Sequence, residues 1–198
     1  MPITADQVKQ LRELTGAGMM ECKKALADTG GDLEKAVDAL RTSGASKAEK
    51  RSSRSANEGR VDAYIHPGNR VGVLMEINCE TDFVALTDEF GELVRNVAMQ
   101  AAAAGAEFVR REEVPADRVE RERAILLAQV EASGKPAAIL EKIIEGKLAK
   151  FFSEVCLLDQ TYIKDDKRTV ADIVQDAASK TGENIVVRRF SRFRLGQD

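Results

Sequence analysis

The 198-residue chain has no tryptophan, two tyrosines, one histidine and three cysteines, and each scarcity removes a class of chemistry. The cysteines, Cys22, Cys79 and Cys156, are odd in number, far apart and never in a CxxC pair. Neither a disulfide framework nor a thiolate metal site is expected; free buried thiols in a reducing compartment are. His66 has no Cys or carboxylate partner at ligand spacing, so it is read as part of a turn and no metal is expected. Charge of one sign is also lacking. Lys and Arg total 30 against 33 Asp and Glu, a net charge of -3, which is far from the basic footprint of a dedicated nucleic-acid binder. No stretch approaches the ~20 apolar residues of a membrane span. The opening MPITADQVKQ has no apolar signal-peptide core, and a cytoplasmic protein is expected. The frames GxxxxGKS/T, GxGxxG, HExxH and GxSxG are missing as well. The chain is therefore expected to hold no cofactor and to have no catalytic residues: a binding protein, not an enzyme.

What is present divides into two patterns. The first 42 residues read as three short helices. Thr4 and Gln7 form a capping-box pair ahead of Val8, Leu11 and Leu14. TGAGMM (Thr15 to Met20) interrupts, a second helix carries Cys22, Ala25 and Leu26, and Gly30-Gly31 ends it. Asp32 caps a third, with Leu33, Ala36, Val37 and Leu40 on one face. So small a bundle is marginal alone. Residues 43–60 read as a polar linker, partly helical, with basic residues Lys47, Lys50, Arg51, Arg54 and Arg60. No aromatic is interleaved there for base stacking.

From residue 61 the period becomes two. Val61, Ala63 and Ile65 share one face of a first strand. Pro67-Gly68 suits a type II turn. A second strand alternates Val71, Val73, Met75, Ile77 and Cys79 against Gly72, Leu74, Glu76 and Asn78. Thr87 caps a helix with Asp88 and Glu89 in its first turn and Phe90, Leu93, Val94, Val97 and Ala98 as its apolar stripe. A helical hairpin comes next, one arm at about 116–132, a turn at Ser133 to Pro136, and a second arm carrying Ile144, Leu148, Phe151 and Phe152. Thr169 caps a further helix. NIVVRRFSRFRL closes as a third strand rich in arginine. The whole is read as α+β: a three-helix N-terminal domain (1–42), a linker (43–60), and a core of a three-stranded antiparallel sheet with helices (61–198).

Between the second strand and the next helix lies NCETDFVAL. Loops of this kind are normally polar because they lie in water, yet Phe83 and Val84 sit beside Asp82. From the residues alone, Phe83 is either a core aromatic at a helix start or an outward tool.

LRELTGAGMMECKKAL, YIH with RVGVLMEINCETDFVA, and ENIVVRRF, in that order, resemble the bacterial elongation factor Ts family from about Val8 to Leu195. The resemblance implies a guanine nucleotide exchange factor acting on elongation factor Tu. It implies that Thr81, Asp82, Phe83 and Val84 are pushed into the partner's G domain, with Phe83 as a wedge that disturbs the loops holding phosphates and Mg²⁺. It implies that the N-terminal helices form a ubiquitin-associated-like domain touching the partner, with Met19 and Met20 as candidate contacts. Where the family usually has a basic residue and then Asn, this chain has Leu86 and Thr87. Longer members carry a second copy of the core and a coiled-coil excursion; this chain has room for one copy. Its sheet then has one face covered by helices and another offering Leu74, with Val186 and Phe190 on the last strand. A homodimer in which a second copy covers that face is expected. The alternative is an RNA-binding or ribosome-associated adaptor using the 47–60 basic residues and Arg188, Arg189, Arg192 and Arg194.

Overall fold

Several helix starts fall where short polar side chains are available to cap them. In a computed structural model that describes residues 3–131 and 137–197, Thr4 and Gln7 close a capping box on helix α1 (Ala5–Thr15). Gly16 ends that helix in the left-handed region, and helix α2 (Met19–Asp28) comes next. Asp32 accepts from the Lys35 amide at 3.1 Å and starts helix α3 (Leu33–Arg51). This helix runs through the 42–43 boundary drawn from composition. Ala, Lys and Glu are good helix formers even where no apolar stripe announces them.

The chain forms two compact units. The first comprises Met1–Gly59, Ile77–Leu93 and Ile173–Val186. Its helical core packs Val8, Leu11, Cys22, Ala25, Leu26 and Ala36, with Leu33, Val37 and Leu40 against them. Leu11 and Leu26 are fully buried, worth roughly 1.5–3 kcal/mol each. The three helices do not rely on that core alone. Helix α8 (Val170–Thr181) lies mostly in the same unit. The Arg51 guanidinium donates to the Ala178 carbonyl at 3.2 Å, a second donor to an acceptor in α8's last turn that also takes the Gly182 amide.

The second unit comprises Arg60–Glu76, Val94–Asp172 and Val187–Asp198. Most of the three-stranded sheet belongs to it, in the order β1 (Glu58–Ile65), β2 (Val71–Cys79), β5 (Val186–Arg194). Gly68, at φ 91°, and the bond from the Asn69 amide to the His66 carbonyl close the β1–β2 turn, as the Pro-Gly pair foretells. Along β5 and β2, Arg189 pairs with Glu76 and the Leu195 amide bonds to the Arg70 carbonyl. Numbers rise on one strand as they fall on the other, so the pair is antiparallel.

Strand β2 keeps its alternation: Val73, Met75, Ile77 and Cys79 are buried, whereas Leu74 is exposed. Strand β1 gives a result the alternation could not indicate. Its apolar residues Val61, Ala63 and Ile65 face water, and Asp62 and Tyr64 are half-buried. On β5 the exposed aromatic is Phe193, 71% accessible, and Phe190 is half-buried. Arg192 shares Phe190's side of the strand and donates to the Ala102 carbonyl at 3.3 Å. The apolar β5 residue on the open face is thus Phe193, in place of Val186 and Phe190. Arg189 pairs with Glu76, and Phe193 lies four residues on along the same side of the strand. Val61, Ile65, Leu74, Phe193 and Leu195 are all exposed. A hollow of about 410 Å³ is lined by Ile65, Gly72, Leu74, Phe193 and Leu195 among others.

Helix α5 (Asp88–Ala104) buries Phe90, Leu93, Val94, Val97 and Ala98, the stripe read from the sequence. Its last turn has its Ala102 carbonyl capped by Arg192. Helices α6 (Ala116–Glu131) and α7 (Ala137–Val155) pack against each other; the expected turn at Ser133–Pro136 lies outside the described residues. Phe108, Phe151 and Phe152 pack on Val114, Val155 and Cys156. A second, two-stranded sheet is an addition to the sequence reading: β3 (Thr161–Tyr162) and β4 (Asp165–Thr169). The buried Gln100 amide substitutes for a neighbouring strand, donating to the Thr161 carbonyl and accepting from the Ile163 amide at 3.1 and 2.9 Å. Thr169 and Asp172 then cap α8.

Candidate partner-binding site

Strand β2 stops at Cys79, and the next residues do not form the loop expected from their composition. Asp82–Ala85 forms a one-turn helix, α4, with Thr81 as its N-cap. Thr81 Oγ1 accepts from the Val84 amide at 3.4 Å, and the Ala85 and Leu86 amides bond to the Thr81 and Asp82 carbonyls. Four residues are too few to show helical periodicity, and a single turn is unstable in isolation. The turn is fastened from outside. At its start, Glu183 accepts from the Glu80 and Thr81 amides at 3.0 and 3.1 Å and from the Thr81 hydroxyl at 2.6 Å. At its end, the Thr87 hydroxyl donates to the Val84 carbonyl at 2.8 Å and accepts from the Phe90 amide at 3.2 Å. Thr87 is therefore the cap of α5, as read, and also a clamp on α4.

The Glu80 side chain returns the bond that Glu183 makes. Its carboxylate accepts from the Asn184 amide at 2.6 Å and pairs with Arg54 at 3.4 Å. The buried Asn184 side chain donates to the Ser52 and Arg54 carbonyls. Beneath the turn, Cys79 Sγ donates to the Thr81 carbonyl at 3.1 Å. Burial first, and then the charge of Glu183, push the Cys79 thiol up from its ordinary range. It stays protonated near neutrality and is no nucleophile.

On this polar base stands an apolar tip. Phe83 is 81% exposed and Leu86 75%, three residues apart on one turn. Asp82 is exposed beside them, Val84 and Thr81 are half-buried, and Ala85 is buried. The four residues singled out in the sequence are thus adjacent, with Phe83 pointing into solvent. Leaving Phe83 in water forgoes roughly 1.5–3 kcal/mol of burial; a partner that covers it recovers that energy. In the same unit, Met19 and Met20 are both exposed on the first turn of α2.

The other candidates disperse. Cys22, Cys79 and Cys156 are buried free thiols. Among the described residues no cluster of His, Cys, Asp and Glu could hold a metal ion, and no helix is long and apolar enough to cross a membrane. His66 Nδ1 meets the Tyr64 hydroxyl at 3.1 Å at the hairpin turn. The β5 arginines split between the two faces of the strand: Arg189 pairs with Glu76 and Arg192 with the Ala102 carbonyl.

Comparison with known proteins bears on the same residues. The family model described as "Elongation factor TS" matches residues 17–197. The chain belongs to the elongation factor Ts family. It is 57% identical over 195 residues to elongation factor Ts of an Anaeromyxobacter species, covering 98% of this chain and 89% of that one. It is 54% identical over 198 residues to that of Herpetosiphon aurantiacus, with 100% of each covered. To that of Carboxydothermus hydrogenoformans it is 57% identical over 195 residues, covering 98% and 90%. The span matched to the elongation factor Ts family takes in Met19, Met20, all of α4, and Glu183. Sequence reading missed Glu183, Asn184 and Glu80 as parts of the site. The available signal was an acid and an amide immediately ahead of the VVRRF strand, in the same ENIVVRRF string that carries the resemblance.

Proposed function

We propose that this chain is a guanine nucleotide exchange factor for elongation factor Tu in translation. It binds the GDP form, drives Phe83 into the G domain near the nucleotide, and releases GDP so that GTP can bind. The observation that carries the reading is an aromatic side chain held 81% exposed on a short turn that is bonded at both ends. Membership of the elongation factor Ts family supports the choice of partner.

The physical logic is competitive. Mg²⁺ and backbone amides hold the phosphates of a bound nucleotide together, so release requires many contacts to break at once. A wedge that fits only the disturbed site weakens nucleotide binding, and nucleotide weakens the wedge by the same factor. Phe83 supplies the apolar insert. Asp82 accompanies it, as an anion where the partner's Mg²⁺ site is disturbed. Thr81 and Val84 hold the turn, and exposed Met19 and Met20 offer adaptable contacts from the N-terminal helices. No bond is made or broken, so no cofactor, catalytic group or bound nucleotide of its own is called for, and the action belongs in the cytoplasm. The test is release of labelled GDP from elongation factor Tu. A large acceleration by this chain is expected, and no acceleration overturns the reading.

The chain also acts as a homodimer. Val61, Ile65, Leu74, Phe193 and Leu195 form an exposed apolar face. A second copy presenting the same face in twofold symmetry would cover it. The Phe83 wedge acts from one protomer, so exchange does not depend on this association.

A further inference from the structure

We propose that Glu183 is a positioning residue for exchange. It acts through Thr81 to fix α4 so that Phe83 points outward, and the proposal rests on the wedge reading above.

The geometry points to Glu183 and not to the turn's own bonds. Helix α4 has two backbone bonds of helical type, from the Ala85 and Leu86 amides, which is too little to hold a turn in water. The Glu183 carboxylate lies about 100 positions away in the chain and takes three donors at the turn's entrance: two amides and one hydroxyl. By accepting the hydrogen bond of the Thr81 hydroxyl it leaves the oxygen's lone pairs to the Val84 amide, which is the N-cap bond of α4. Hydrogen bonds to a charged acceptor are among the stronger ones, and three on one carboxylate fix direction as well as distance. Glu80 and Asn184 make the reverse bond at 2.6 Å, so the two backbone segments are tied twice. The Glu183 oxygens face backbone and hydroxyl donors, and Phe83 faces solvent. Removing Glu183 would leave the apolar tip in place but its aim unfixed, and misplacement by an ångström is costly to a fitted site.

The experiment measures the maximal rate of labelled GDP release from elongation factor Tu at saturating full-length chain. It compares wild type, Phe83→Ala, Glu183→Ala and the double variant, with circular dichroism on each. Glu183→Ala is expected to lower the maximal rate on the order of tenfold. The double variant is expected to fall little below Phe83→Ala, well short of the product of the two single effects, because Glu183 acts through the turn whose main contact is already removed. A merely structural role would instead lower the rate of the double variant further, by the product of the two single effects, and that result overturns the proposal. Full activity of Glu183→Ala beside an impaired Phe83→Ala overturns it alone. Full activity of Phe83→Ala overturns the wedge and this proposal together. If Glu183→Ala loses helical signal, Glu183→Gln replaces it. That variant keeps one acceptor oxygen, so an intermediate rate supports the proposal and an unimpaired rate overturns it.

Discussion

Among the exposed large apolar side chains of the described residues, two groups are built in opposite ways. In the first unit, Phe83 and Leu86 stand on one helical turn whose base is a network of charged and polar bonds to Glu183, Thr87 and Glu80. In the second, Val61, Ile65, Leu74 and Phe193 spread over three strands, the last three of them around a shallow hollow. The first is a single helical turn, the form the proposed wedge requires. The second is broad, suited to lasting cover. An exposed apolar residue by itself therefore does not tell what it is for; the backing does. A polar clamp keeps a small tip aimed, whereas a sheet supplies area.

The largest expected effect separates the two surfaces. Leu74→Arg places a charge at the centre of the sheet face and should raise the dimer dissociation constant on the order of 30-fold or more, the scale of a buried hot spot. Light scattering after gel filtration would show the mass fall toward the 21.6 kDa of one chain. GDP release per chain should be unchanged; a parallel loss of exchange would mean that the two surfaces are one. Wild type already at monomer mass at micromolar concentration would show that the sheet face does not pair two copies.

Phe83→Ala is the mirror experiment. Exchange should fall roughly tenfold or more, about 1.4 kcal/mol of lost transition-state binding, with mass and melting temperature unchanged. Unfolding would show Phe83 to be core. Asp82→Ala should be milder, roughly threefold in exchange. Asp82 opens α4 and an acid there is worth about 0.3–1 kcal/mol. A stability loss with exchange intact would assign Asp82 to the fold alone.

The smallest effect is a control that touches neither surface. Arg118 hydrogen bonds hold the Glu107 carboxyl below its ordinary value of 4.5. A depressed carboxylate contributes stability that is present above the ordinary value and is lost as pH falls through the lower folded one. The pair is largely exposed, so the contribution is under about 1 kcal/mol. Thermal melting of Arg118→Ala against wild type should differ slightly at pH 7, and the difference should vanish well below pH 4.5. An undiminished difference in acid would assign the effect to Arg118 packing on Phe108 and Phe151.

How much of this was legible depended on the range of the signal. Caps at Thr4, Asp32, Thr87 and Thr169 and the alternation of β2 are local patterns, and all could be read directly. Helix α4 reads as a loop in the sequence because one turn carries no period. The β3–β4 hairpin has only a two-residue strand and the polar DDKRT, with no apolar alternation to betray it. In β1 the alternation was clear, but one strand cannot say which of its faces meets helices; the apolar one faces water. Phe83 stood out as an oddity in a polar stretch. Its support did not, because Glu183 meets Thr81 across 102 positions, and no local window contains both.

Everything proposed for α4 turns on whether Phe83 expels nucleotide from elongation factor Tu. Stopped-flow release of labelled GDP, with wild type and Phe83→Ala at equal saturating concentration, tests it most directly. Rapid release is predicted with wild type, and a rate at least roughly tenfold lower with the variant. Equal rates from two folded proteins would contradict the wedge.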